Sequence, residues 1–61
     1  MNDLINVNTA ASRLDVKKQT IYSWVHFRKI PFIKLGGAVK FDPHELEKWI
    51  ADRKVEPLLK R

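Results

Sequence analysis

The chain has no cysteine, and its 61 residues include only two glycines and three prolines. Without cysteine there are no disulfide staples and no thiolate metal sites, the usual supports of very small secreted domains. No apolar run approaches the roughly 20 residues that cross a bilayer. The opening Met1-Asn2-Asp3-Leu4 lacks the basic and apolar stretches of a secretory signal. The expected compartment is therefore the cytoplasm. The most informative absence is local, because residues 17–40 contain no Asp or Glu at all.

What is present is the composition of a folded domain. Hydrophobic residues make up 44% of the chain, with two Trp and three Phe, so low hydrophobicity does not force disorder. A chain of this length buries only ~60% of its unfolded surface, which leaves room for one thin core and none for a deep catalytic cleft. Charge is concentrated. Residues 17–40 carry Lys17, Lys18, Arg28, Lys29, Lys34 and Lys40, a net of +6, while residues 1–16 net −1 and residues 41–61 net zero. A single-sign block attracts a polyanion, although charge alone is equally compatible with a solubilising surface.

Periodicity divides the chain. Val7, Ala10, Ala11 and Leu14 fall at i, i+3, i+4 and i+7, one face of a helix, with Asn6 as its N-cap. Asp15 and Val16 interrupt, and Asp accepts turn conformations readily. Thr20, Ile21, Trp24 and Val25 continue as a second apolar stripe, in a helix that ends near Phe27. The opposite face carries Lys17, Lys18, Gln19, Tyr22, Ser23 and His26. Ile30-Pro31 closes the helical region. Phe32-Ile33-Lys34-Leu35 and Ala38-Val39-Lys40-Phe41 flank Gly36-Gly37, a hairpin pattern in which both turn glycines can take positive φ. Asp42-Pro43-His44-Glu45 supplies an N-cap, a proline at the first helical position and an early acid. Leu46, Trp49, Ile50 and the stem of Arg53 are the expected buried stripe of that third helix.

The expected architecture is thus a small α+β winged helix-turn-helix over residues 1–53: helix, turn, helix, two-stranded β-hairpin wing, third helix. Residues 54–61 read as a basic tail that includes Val55, Leu58 and Leu59. Ala11, Asp15 and Ile21 stand at i, i+4 and i+10. That spacing suits a sharp helix-turn-helix, in which a small residue admits the second helix and Ile packs back. It equally suits an ordinary corner between two helices in any small core.

Several motifs in register carry a resemblance. Leu4-Ile5-Asn6-Val7, Ala10-Ala11, Thr20-Ile21-Tyr22-Ser23-Trp24-Val25, Ile30-Pro31, Gly36-Gly37 and Asp42-Pro43-His44-Glu45-Leu46-Glu47-Lys48-Trp49-Ile50 resemble the excisionase-type branch of the MerR-like winged helix-turn-helix domains. The resemblance runs from residue 4 to about 53. It implies a second helix that enters the DNA major groove and a wing that reaches the flanking backbone or minor groove. Carried over by position, Lys18, Gln19, Tyr22 and Ser23 would face the major groove. Lys17, Thr20, Arg28 and Lys29 would meet phosphates, and Lys34, Gly36, Gly37 and Lys40 would form the wing contact. Chemistry supports the division independently, since Gln pairs bidentately with adenine and Lys donates to guanine, whereas phosphate contacts position without specifying.

Four residues depart from the family pattern. Asp15 stands where the turn usually has Gly, Lys17 where Ser commonly caps the second helix, and His26-Phe27 where two basic residues are usual. Plainer readings stand beside the functional ones. Tyr22 fits equally at the edge of the core with its hydroxyl in water, and Thr20 fits as a packing residue. Lys34 and Lys40 also read as edge-strand charges against aggregation. Trp24 and Trp49 fit core stripes rather than a stacking platform for single strands. His26 and His44 show no metal spacing, and no nucleophile, base and orienting group can be assembled, so neither a cofactor nor an enzymatic activity is expected.

The resemblance implies double-stranded DNA as partner, with an integrase or recombinase and neighbouring protomers on DNA as further partners. A monomer in solution, a nucleoid location and no membrane association are expected. The chain shows no long dimerisation helix after the wing, which favours a directionality factor for a prophage or mobile element over an effector-responsive switch. A small phage or mobile-element transcription regulator would use the same surface. A protein-interaction adaptor that turns its basic face to an acidic partner is the alternative of another class. The apolar tail residues read either as a partner contact or as a frayed end.

Overall fold

The computed structural model describes residues 3–55. It contains α1 (Val7–Leu14), α2 (Lys18–His26), β1 (Ile33–Leu35), β2 (Ala38–Lys40) and α3 (Pro43–Asp52) in that order. This is the expected α+β winged helix-turn-helix.

Local chemistry explains each boundary. Asn6, in extended geometry, accepts a hydrogen bond from the Thr9 backbone N–H at 2.9 Å and opens α1. Asp42 accepts from the His44 backbone N–H at 2.9 Å and opens α3, with Pro43 where its missing N–H costs nothing. Both helices of the helix-turn-helix end in the same way. At α1, Asp15 sits at φ +56° while its N–H and that of Val16 donate to the Ser12 and Ala11 carbonyls. At α2, Arg28 sits at φ +57° while its N–H and that of Lys29 donate to the Val25 and Trp24 carbonyls. These paired bonds around a left-handed residue are Schellman motifs, each built here without glycine.

The core contains Val7, Ala10, Ala11, Ile21, Ile30, Phe41 and Leu46. Ala10 and Ala11 let α2 approach α1 closely, and Ile21 fills the space with no exposed surface. Ile30 and Phe41, read from sequence only as flanks of other elements, are core residues. Phe41 is fixed by a strand-like bridge to Ile5, in which each backbone N–H donates to the other's carbonyl at 2.8 Å. The N-terminal segment thereby extends the hairpin by one rung.

The third helix departs from its expected stripe. Leu46 is buried and Trp49 half-buried, but Ile50 keeps 44% of its surface. Arg53 does not bury its stem. Its guanidinium lies over the Trp49 ring at 4.2 Å and donates to the Trp49 carbonyl at 3.3 Å. Helical spacing could not foresee this, because it says which residues share a stripe but not how much of that stripe the neighbouring elements cover. Trp24 and Trp49 pack with ring centroids 5.4 Å apart, and the Trp49 indole N–H donates to the Lys29 carbonyl at 2.7 Å. That bond pins the loop after α2 to α3. Val55 is exposed, while Leu58 and Leu59 lie outside the described residues.

Candidate nucleic-acid interface

The exposed side of α2 is created by what its other side must do. Ile21, Trp24 and Val25 turn toward the core, so Lys18, Gln19, Tyr22 and Ser23 are left exposed on one continuous face. Tyr22 keeps 54% of its surface and lies on this exposed face. Thr20 is half-buried on the opposite side of α2 from Tyr22. His26 lies one turn beyond Tyr22, and its ring meets the Phe27 ring edge-on at 4.9 Å. Phe27 itself is 65% exposed. An aromatic pair therefore extends this face where the family pattern has cations, a feature no periodicity argument assigned.

The start of α2 adds an electrostatic element. Lys17 occupies the N-cap position in extended geometry and makes no side-chain cap bond, and no acid lies in the first turn. The partial positive charge of the helix N-terminus is left without a carboxylate to offset it, next to the ammonium groups of Lys17 and Lys18. At the other end, Arg28 and Lys29 are exposed and are held in place by the Schellman bonds and the Trp49 contact.

The wing meets α2 across a cleft of about 370 Å3 that is lined by Asn8, Lys18, Tyr22, Gly37, Ala38 and Val39 among others. Asn8, exposed in the first turn of α1, was not singled out by the sequence. Only its place beside the tip of the wing reveals it. The hairpin register pairs Ile33 with Lys40, Lys34 with Val39 and Leu35 with Ala38. Paired residues share a face of a ribbon, so Lys34 and Lys40 leave from opposite faces and do not form one patch. Lys34 shares its face with Val39, which lines the cleft. Lys40 shares its face with Ile33, which borders a second cleft lined also by Asp42 and Glu45. Gly36 alone takes a left-handed φ, +60°, and Gly37 does not.

The described residues contain no group of three His, Cys, Asp or Glu that could hold a metal ion, and no helix long and apolar enough to cross a membrane. No charged or polar residue among them is buried. The surface is suited to multiple hydrogen bonds and charge attraction over an extended polyanion.

A family model described as a helix-turn-helix domain matches residues 4–54. No curated protein and no solved structure matches the chain.

Proposed function

The chain belongs to the helix-turn-helix domain family of small DNA-binding domains, and from that premise we propose that it reads a specific double-stranded sequence as an excisionase-like architectural factor. The observation that carries this reading is the cleft shared by α2 and the wing. It sets Lys18, Tyr22 and Asn8 beside the wing tip, so one binding event engages a groove and its flanking backbone together. In this reading Lys18, Gln19, Tyr22 and Ser23 contact base edges. Each good bidentate pair gives ~1–3 kcal/mol of discrimination. Lys17, Arg28 and Lys29 meet phosphates, joined by the half-buried Thr20 through its hydroxyl.

The wing divides its work unevenly. Lys34, on the cleft side, meets the backbone. Lys40 leaves from the opposite face, the one it shares with Ile33, and contributes less. Gly36 and Gly37, with no atom within 4 Å of an added Cβ, leave the tip bare for close approach. A module of this size buries about 600–1,000 Å² on DNA, so useful occupancy calls for cooperative neighbours. That requirement, with the resemblance of its motifs, supports an architectural partner of an integrase over a stand-alone regulator. The unit that does this is residues 1–53.

Selection of bound duplexes from a random pool, at roughly physiological salt, tests the proposal. A short motif repeated in direct orientation is the expected result. An inverted repeat would instead identify a two-fold transcription regulator that uses the same surface. No enrichment would sink sequence reading and leave a polyanion binder or an adaptor for acidic proteins.

A further inference from the structure

A second surface lies away from the cleft between α2 and the wing. Leu14 of α1, Trp24 of α2, and Trp49 and Ile50 of α3 line an open groove of about 1010 Å3. Ile50 is 44% exposed, although its spacing placed it in a core. The rim is basic, with Arg28, Lys29, Arg53 and Lys54 against the single acid Glu47. An apolar floor within a ring of cations is the complement of an amphipathic helix whose polar face is acidic. We propose that this groove docks an acidic amphipathic helical segment of a partner protein. The groove shares Arg28 and Lys29 with the proposed phosphate contacts, so duplex DNA and the docked helix would compete for those two cations.

Three other occupants fit less well. Residues 56–61 of this chain carry Glu56 against Lys60 and Arg61, so their charge has the same sign as the rim. A second copy brings a net charge of +5 to a basic edge. Single-stranded nucleic acid would need a free aromatic face. One face of the Trp49 ring is covered by the Arg53 guanidinium at 4.2 Å, and the two indoles pack on each other at 54°.

The protein carries its own reporter, because Trp24 and Trp49 are its only tryptophans and both line the groove. The full chain is titrated with a synthetic helical peptide that bears Leu and Phe on one face and Glu elsewhere, with tryptophan emission as the readout. A saturable blue shift that weakens with added salt is expected. Ile50→Asp should lower the affinity roughly tenfold, the equivalent of about 1.4 kcal/mol, with the circular dichroism spectrum retained because the side chain is already exposed. Arg53→Glu should lower it as well. The proposal is overturned if the same peptide with Lys for Glu binds equally, or if Ile50→Asp leaves the affinity unchanged. It also falls if the shift follows protein concentration without peptide, which would indicate self-association, or if an oligothymidylate produces the same saturable shift.

Discussion

Ile21 has no exposed surface, whereas its neighbour Tyr22 keeps 54%, and the two side chains obey different rules although one peptide bond joins them. The Ile21 face of α2 is specified by volume, since it must fill the space above Ala10 and Ala11. The Tyr22 face is specified by what it will touch, and nothing in the folded chain constrains it. Changes on the first face should therefore act through stability and changes on the second through binding.

The largest effect is expected at Ile21→Ala, which should cost about 2–5 kcal/mol. A single core in a chain this small rarely supplies more than about 3–5 kcal/mol. Urea titration followed by circular dichroism should find most of the variant unfolded at room temperature. A near-native unfolding midpoint would show that the core does not rest on this residue. Gln19→Ala probes the other face. It should remove about 1–3 kcal/mol of discrimination at one base position and leave the urea midpoint where it was. Lys34→Ala should weaken all duplexes alike and reduce the salt slope by about 1, with a smaller change for Lys40→Ala. Equal, sequence-independent losses for Gln19 and Lys34 would erase the proposed division between helix and wing.

The two helix ends sharpen the contrast. Asp15 and Arg28 hold the same left-handed backbone, at φ +56° and +57°, but Asp visits that region far more readily than a long side chain does. Arg28→Gly should raise stability by about 1 kcal/mol while it lowers affinity for duplex DNA. Asp15→Gly should change stability less and binding not at all. Parallel melting curves and fluorescence anisotropy on one duplex check both. If Arg28→Gly left binding intact, the arginine would have no role to set against its backbone cost. The smallest effect belongs to Gly37→Ala, which should stabilise by ~0.4–1 kcal/mol through the unfolded chain, because its φ is not left-handed and no atom lies within 4 Å of the new Cβ. A loss in the same denaturation assay would contradict the turn geometry.

Much of this molecule was legible locally. Asn6 and Asp42 cap as their side chains predict, the alanine pair admits α2, and Gly36 turns the hairpin, because caps, helix stripes and turns depend on residues within a few positions of each other. The polar face of α2 followed from its apolar one. The left-handed Asp15 was implied by the glycine usual at that position, but nothing local announced Arg28. A lysine that simply follows a helix gave no hint that its carbonyl would receive the Trp49 indole from 20 residues away.

By itself, then, the sequence determined the order of elements, the basic segment and the residues α2 would present, since each is set by period, cap chemistry or charge along the chain. Tertiary structure alone decided what depended on partners distant in sequence. The Ile5–Phe41 bridge drew Phe41 into the core, and the hairpin register sent Lys34 and Lys40 to opposite faces. The packing of α3 left Ile50 44% exposed, because a helix stripe states which residues want burial but not how wide a surface the neighbouring elements will offer.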